Sequence, residues 1–240
     1  MAKVEEFGKI DLSYKFTGGE ILEYDNVNEI IQDVTSKGAI SRHDENRWTS
    51  RTTIKVLRVE NDGSAHLVIT NEPVTEIEGE AVMNLPPGRD VAYVFLTSRG
   101  KILETAGFNP QFIFNLPEEK VTTGDTWKGE QKLYFPFFPN PLYYEVEFIV
   151  DGLEQVDKDK LLRVNFRVPE TRFNIPLPWS ETETIQLLKM QGYFIYSIGK
   201  SAVTKAEFLT NSTLKAADTV FDSTIRFLQK LSDGADKKGE

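Results

Sequence analysis

The sequence predicts a mainly β protein built from antiparallel strands, and three observations favour that fold class. Apolar and polar residues alternate with a period of two along many segments, as they do in strands that bury one face. Turn residues separate these segments at short intervals. Apolar residues with helical spacing are prominent in one segment only, residues 210–231.

The first elements expected are two strands near the N-terminus. Leu12, Tyr14 and Phe16 alternate with polar residues, and a second apolar run follows Gly18-Gly19 at residues 21–24. This pattern predicts a hairpin of two strands. Residues 26–35 fit either a continuing strand or a short helical turn.

The clearest hairpin covers residues 48–70. Its two β-branched runs are separated by Asp62-Gly63, a pair typical of type I′ turns, in which both central residues have positive φ. A further strand pair is expected at residues 92–97 and 102–105, around a turn that contains Gly100.

The second half of the chain continues in the same way. The strands expected there are 127–135, 143–151, 160–168, 182–188, 192–198 and 202–214. Residues 210–231 leave two alternatives open. Leu214, Ala217 and Phe221 suit an amphipathic helix, whereas the frequent Thr and Ser, with Ile225 and Phe227, suit a strand.

The order of the predicted elements suggests an internal duplication. The hairpin around Asp62-Gly63 resembles the later hairpin around Asp157-Lys158-Asp159, and residues 92–101 resemble residues 192–200. We therefore expect a first β-meander at 8–120 and a second at 121–231, followed by a mobile, charged tail at 232–240.

A resemblance to a known family rests on one motif and two flanking segments. The motif is Val121-Thr122-Thr123-Gly124-Asp125-Thr126-Trp127 after Leu116-Pro117. It resembles the link between two β repeats in a family of uncharacterised bacterial proteins. Residues 14–20 and 192–199 also match that pattern, so the resemblance covers about residues 10–230.

The resemblance implies a fold and carries no activity. Members of that family are expected to form long, curved antiparallel sheets, similar to the half-barrels of lipoprotein carriers. They usually have a secretion or lipoprotein signal. Within the motif we expect structural roles for Gly124, Asp125 and Trp127. Asp125 would accept bonds from nearby backbone N–H groups in a turn, and Trp127 would close one end of the sheet.

The composition restricts the possible functions. Hydrophobic residues make up 40% of the 240 residues and include 16 Phe, which is sufficient for a substantial core without disulfides or metals. The absence of Cys excludes disulfides, thiol nucleophiles and Cys-based zinc sites. The net charge of −9 disfavours partners such as nucleic acids and anionic membranes.

No recognisable catalytic or metal motif is present. The two histidines, His43 and His66, have no His or Cys at ligand spacing, and G-x-S-x-G, P-loop and G-x-G-x-x-G motifs do not occur. We therefore expect a non-enzymatic protein without cofactor or metal. A hydrolase with an unrecognised site stays as an alternative, because catalytic triads are defined by geometry.

The most unusual segment combines aromatic residues with three prolines, at residues 132–144, and residues 175–179 form a second segment of this kind. Aromatic residues on rigid loops suit contact surfaces, since little rotamer entropy is lost on binding. The alternative is that these loops cover an open end of the core. The candidate binding residues are Phe135, Phe137, Phe138, Leu142, Tyr143 and Trp179.

The leading functional hypothesis is a binding or accessory protein that engages a partner protein or an apolar ligand through these loops. The alternative is a carrier that holds a lipid-like molecule in an internal cavity of roughly 300 Å³ or more. Residues 1–7 lack the apolar stretch of a signal peptide, and no transmembrane segment is expected. The predicted location is the cytoplasm, or the periplasm or cell envelope if a signal peptide was removed.

Overall fold

The part of the protein that the structure describes is all β and contains eleven strands. The computed structural model describes residues 8–74, 90–108, 113–133, 142–156, 158–175 and 184–232, and these ranges contain no helix. The strands are β1 (Ile21–Ser36), β2 (Ala39–Val59), β3 (Ala65–Pro73), β4 (Asp90–Leu96), β5 (Ile102–Gly107), β6 (Thr126–Leu133), β7 (Leu142–Val156), β8 (Asp159–Ile175), β9 (Thr184–Ser197), β10 (Ala202–Ala216) and β11 (Thr219–Leu231).

All eleven strands belong to one curved antiparallel sheet in the order β5-β4-β3-β2-β1-β11-β10-β9-β8-β7-β6. The antiparallel, mainly β fold class is therefore confirmed. Within each half, consecutive strands pair with each other, and one long-range pairing, β1 with β11, joins the two halves. The sheet is not closed, because β5 and β6 lie at its two edges.

No helix in the described ranges has both the length and the apolar character needed to cross a lipid bilayer. The ambiguous residues 210–231 resolve into strands β10 and β11, so the helical alternative is wrong.

Alternation of side chains produces the two faces of the sheet. On β8, Leu162, Val164, Phe166 and Val168 are buried, whereas the residues between them are more exposed. A period of two places successive side chains on opposite faces. Along β8 the sheet therefore has an apolar inner face and a more exposed outer face.

The turn at Asp62-Gly63 differs from the expected type. Gly63 has φ of +84° and is the one residue of this turn with positive φ. Its N–H donates to the Glu60 carbonyl over 3.0 Å, and Glu60 N–H donates to the Ser64 carbonyl over 2.7 Å. This geometry is a type I turn followed by a glycine bulge, so the type I′ prediction is wrong although the hairpin is confirmed.

Two other expectations about single strands are also corrected. Residues 10–16 form no hairpin with residues 21–24; only Ile10 makes a bridge, to Val121. The two strands expected at 182–188 and 192–198 are one strand, β9, because no turn interrupts the pairing there.

The N-terminal segment instead lies inside the curved sheet, together with the linker between β5 and β6. Leu12 and Phe114 are buried at 0% and 4% exposure. The Tyr14 hydroxyl donates to the Phe114 carbonyl over 3.2 Å and so connects the two segments. The alternating pattern of residues 12–16 thus reflects contact with the core rather than pairing in the sheet.

The core consists of two clusters on the inner face. The larger lies against β7–β10 and contains Phe148, Phe166 and Phe194. The smaller lies against β2–β4 and contains Val56, Leu67 and several further apolar residues. Phe16 packs against both clusters, so the internal segment connects the two halves of the sheet.

The ranges 8–120 and 121–231 contribute β1–β5 and β6–β11 to this continuous sheet. The two series run in the same direction along the strand order, which is compatible with a duplication, and the duplication itself stays a prediction. The tail predicted at 232–240 lies outside the described residues except for Ser232.

Candidate binding site at the open edge of the sheet

A cleft of about 1020 Å³ lies between the start of β5 and the edge strand β6. Its walls include Ile102 of β5 and residues 126–132 of β6, and its floor is formed by residues 115–121 of the linker. We call it the edge cleft. It exists because the sheet stops at β5 and β6 without closing.

The turn before β6 is built from the motif residues. Gly124 has φ of +86°, which favours glycine. The Asp125 carboxylate accepts the Thr122 N–H over 2.9 Å, and the Asp125 N–H donates to the Thr122 carbonyl over 3.1 Å. Asp125 therefore holds the turn through which the chain enters the edge strand.

Trp127 attaches β6 to the linker. Its indole N–H donates to the Asn115 carbonyl over 2.8 Å, and its ring stacks on Phe148 with centroids 5.0 Å apart. Four residues further along β6, the Gln131 side-chain amide donates to the Ile113 carbonyl over 3.0 Å. The inner face of β6 is thus fixed against the linker.

The register of β6 with β7 decides which backbone groups face the cleft. Val150 of β7 donates its N–H to the Asp125 carbonyl over 2.9 Å, and Trp127 lies opposite Phe148. In an antiparallel pair, residues alternate between bonding to the neighbour and pointing away from it. The odd-numbered residues of β6 therefore bond to β7.

The backbone N–H and C=O groups of Lys128, Glu130 and Lys132 consequently point into the edge cleft. One contact shows this orientation directly: the Asn115 side-chain amide donates to the Glu130 carbonyl over 3.0 Å. Asn115 also lies against Gly129, where an added Cβ would be 2.8 Å from the Asn115 Cβ. Gly129 therefore allows the linker to approach the edge strand closely.

The edge cleft differs in charge from the rest of the molecule. Six of its lining residues are Lys or Arg and four are Asp or Glu, whereas the whole chain has 28 basic and 37 acidic residues. Arg99 is paired with Asp11 over 2.8 Å and also donates to the Leu12 carbonyl. The remaining cations give the cleft a local positive balance within an acidic protein.

Three of these cations lack an ion pair among the residues that the structure describes. They come from separate parts of the chain, namely the N-terminal segment, the start of β5 and the end of the linker. These residues are Lys9, Lys101 and Lys120.

The side chains on the outer face of β6 alternate in charge. Lys128 bonds to Glu145 over 2.7 Å, and this bond raises the pKa of the Lys128 ammonium. The Lys132 ammonium lies 5.7 Å from the centre of the Tyr143 ring. Glu130 lies between the two lysines, so the edge presents a positive, negative, positive series.

The structure places the sequence-predicted binding residues as follows. Leu142 is half-buried and packs against the larger cluster. Tyr143 is 50% exposed and lines the edge cleft. The other four lie outside the described residues: Phe135, Phe137, Phe138 and Trp179.

Sequence reasoning missed Asn115 and the three lysines of the cleft. Lys9, Lys101 and Lys120 are separated by about ninety and about twenty positions. No local pattern marks them, because the internal linker brings them together.

The histidines bond to charged side chains. His43 contacts Asp33 over 2.6 Å and Glu45 over 3.1 Å, and the two bonds raise its pKa. His66 contacts Glu60 over 3.1 Å and stacks on Phe95. No group of three potential metal-ligating side chains occurs in the described part of the chain. The His43–Asp33 contact joins β2 to β1.

The buried tyrosines have structural roles as well. Tyr14 and Tyr24 donate their hydroxyls to the carbonyls of Phe114 and Val203. Burial raises the pKa of both phenols, so they stay protonated donors. A cavity between the two core clusters has a volume of about 30 Å³, which is the space of one water molecule.

No protein-family model matches the chain, and no curated protein matches it significantly.

Proposed function

We propose that this is a non-enzymatic binding or accessory protein that engages a partner protein at the edge cleft. The observation that carries the proposal is the outer edge of β6, which pairs with no further strand among the residues that the structure describes and whose outward backbone groups border a cleft of about 1020 Å³. An unpaired sheet edge is a ready template for another chain.

The Pro/aromatic segment extends this proposal. Residues 134–141 connect β6 to β7, so they follow the edge strand directly. Tyr143, on the far side of that connection, lines the cleft and is half exposed. An exposed aromatic ring beside an unpaired strand is a favourable anchor for a partner chain.

Two observations favour a protein partner over an internally held apolar molecule. The cavity between the core clusters, about 30 Å³, is an order of magnitude smaller than the roughly 300 Å³ that a carrier site needs. The lining of the edge cleft also includes ten charged residues, which suits polar chain segments better than lipid tails.

The experiment is site-specific photo-crosslinking in the cells that express the protein. A photoreactive residue is placed at Lys101, directly before β5, or at Lys128 of β6, both of which line the edge cleft. The matched control places it at Lys189 of β9, on the outer face far from the edge. The proposal expects one crosslinked protein from both edge positions and none from the control. Equal labelling at all three positions, or no crosslink at either edge position, would contradict it.

A further inference from the structure

We infer that Asn115 of the linker is a built-in cap on the edge cleft, which the partner has to displace in order to bind. The cap lowers the affinity for the partner, because the bonds that Asn115 makes in the free protein have to be given up. The inference rests on the proposed function, since it concerns how access to that same site is regulated.

The turns that lead into β1 and β6 are built alike. At the first turn, the Thr17 N–H donates to the Glu20 carboxylate over 3.0 Å and the Glu20 N–H donates to the Thr17 carbonyl over 3.0 Å. Gly19 of this turn has φ of +81°. The turn before β6 makes the same two bonds around Gly124, which has φ of +86°. Each position of the first turn therefore has a counterpart in the second.

The correspondence continues into the neighbouring strands. Val56 of β2 exchanges two backbone bonds of 2.9 Å with the first turn, and Val150 of β7 exchanges two of 2.9 Å with the second. The pairing with the next strand is then shifted between Val56 and Arg58, and likewise between Val150 and Gly152. The series β1, β2, β3 thus corresponds to β6, β7, β8.

This correspondence identifies what lies at the outer edge in each half. β11 follows β10 in the chain and pairs with the outer edge of β1 from Tyr24 to Ser36. β5 and β10 correspond to each other, because each is the fifth strand of its series. The counterpart of β11 is therefore the linker, which follows β5 and lies against β6. The edge of β6 thus has an occupant in the free protein.

Asn115 is the residue through which the linker holds this edge. Its carbonyl accepts the Trp127 indole N–H over 2.8 Å, its amide donates to the Glu130 carbonyl over 3.0 Å, and its Oδ1 accepts from the Gln131 amide over 3.3 Å. Each of these bonds uses at least one side chain, whereas β11 pairs with β1 through the backbone. The bonds of the cap can therefore be exchanged without breaking the pairing of β6 with β7.

The two halves differ at the position where the cap packs. Counted from the corresponding turns, Gly129 is the counterpart of Tyr24, whose hydroxyl donates to the Val203 carbonyl over 3.0 Å. A Cβ at position 129 would be 2.8 Å from the Asn115 Cβ, so a side chain of the size of Tyr24 would exclude the cap. Glycine at this position therefore provides the space that Asn115 occupies.

The first test weakens the cap and follows the partner by photo-crosslinking at Lys101, in lysates of the cells that express the protein. Asn115→Ala removes both side-chain bonds of the cap and keeps its backbone carbonyl. We expect the yield of crosslinked partner to rise about threefold or more, as for the removal of a modest hydrogen-bond cost. The matched control, Asn211→Ala, removes a side-chain bond between β10 and β11 and should leave the yield unchanged.

The second test locks the cap in place with a disulfide. The chain has no native Cys, and the Cβ positions of residues 115 and 129 are close enough for the pair Asn115→Cys, Gly129→Cys to form a disulfide after a small shift. The oxidised protein should lose the crosslink at Lys101, and reduction of the same protein should restore it. The reduced form is the control, because its sequence is identical.

The outcomes separate this inference from the proposed function. Equal yields in the wild type, in Asn115→Ala and in the locked protein would keep a partner at the edge cleft and overturn the cap. A lower yield in Asn115→Ala would also overturn it, because Asn115 would then belong to the surface that binds the partner. No crosslink in any of these proteins, the reduced form included, would contradict the proposed function and the cap with it.

Discussion

At the scale of single residues, close contacts between backbone and side chains set strict size limits at a few positions. Gly192 lies on β9 where an added Cβ would be 2.3 Å from the Glu207 carbonyl and 2.5 Å from the Phe208 Cβ. Backbone atoms cannot move aside as the end of a flexible side chain can. This position therefore excludes any larger residue without a shift of β10.

We predict that Gly192→Ala lowers the free energy of unfolding by about 1–3 kcal/mol, because the methyl group overpacks the β9–β10 contact. The matched control is Gly152→Ala on β7, where an added Cβ meets nothing within 4 Å. Urea denaturation followed by circular dichroism measures both. Equal effects of the two substitutions would show that the contact at Gly192 is relieved at little cost.

At the scale of elements, the two long hairpins β1–β2 and β10–β11 form the centre of the sheet. On their outer face, Arg226 of β11 bonds to Glu207 of β10 over 2.8 Å and lies 3.6 Å from Glu29 of β1. The bond from Arg226 lowers the pKa of the Glu207 carboxyl. Such exposed pairs add little stability each, and these two join β11 to its neighbours β10 and β1.

The His43 pairing makes the β1–β2 hairpin sensitive to pH. Hydrogen bonds with Asp33 and Glu45 raise the His43 pKa above its ordinary value of 6.5. A raised folded-state pKa means that the stabilisation is complete below pH 6.5 and is lost as pH rises through the folded pKa. As pH rises from 6.5 through the folded-state pKa, we expect the amides of residues 33–43 to lose protection from hydrogen exchange. The rates are corrected for the intrinsic pH dependence of exchange.

An NMR titration of the His43 ring is the direct measurement, and Asp33→Asn is the informative variant. This substitution should bring the His43 pKa down towards 6.5, because it removes the first and largest cause of the shift. A wild-type pKa at or below 6.5 would contradict the prediction.

The turn of the β10–β11 hairpin carries a residue in a left-handed conformation. Ala217 has φ of +52°, which costs a non-glycine residue about 1–2 kcal/mol. We predict that Ala217→Gly raises the free energy of unfolding by about 0.5–1 kcal/mol, after the greater flexibility of glycine in the unfolded chain is subtracted.

The neighbouring substitution Ala216→Gly serves as the control for that prediction. Ala216 lies within β10, where glycine weakens a strand by about 0.5–1 kcal/mol. The two substitutions should thus shift the thermal midpoint in opposite directions. A shift in the same direction would show that the turn conformation contributes little.

At the scale of the whole molecule, the linker between β5 and β6 fills part of the space inside the curved sheet. Phe114 stacks on Phe194 with centroids 4.6 Å apart and lies 5.2 Å from Phe166. Its carbonyl accepts the Tyr14 hydroxyl. One linker residue therefore holds the N-terminal segment and the second half of the sheet together.

We predict that Phe114→Ala costs about 3–5 kcal/mol, as expected for loss of a buried aromatic side chain. Because Phe114 connects the linker to the N-terminal segment, the amides of residues 10–16 should also lose protection from hydrogen exchange. Their loss of protection should exceed that of the β3 amides. Urea denaturation and exchange mass spectrometry measure the two effects. A loss of stability without selective exposure of residues 10–16 would limit Phe114 to local packing.

The sequence carried enough information for the fold class but not for the placement of every segment. β2, β3 and β8 were predictable, because one face of each is buried and their alternation is regular. Most of residues 26–35 of β1 are half-buried whichever face they lie on, so their pattern is weak. Residues 12–16 alternate like a strand, yet they pack inside the sheet, a tertiary outcome that local pattern does not encode.

The candidate site was predictable only in part. Tyr143 lies in the edge cleft as one member of the aromatic segment, and the motif around Asp125 marks the entry to β6. The cleft itself depends on which strands are left without a neighbour. That follows from the pairing of β1 with β11, a contact between distant parts of the chain that alternation and turn residues do not specify.

The pairing of β1 with β11 also has a consequence for how the chain folds. Tyr24 and Leu231 are neighbours in the sheet although about two hundred residues separate them, whereas every other strand pairing joins strands that follow one another in sequence. Closing so long a loop carries a larger entropic cost than forming a hairpin. The middle of the sheet is therefore expected to assemble last, after the two meanders have formed at its flanks.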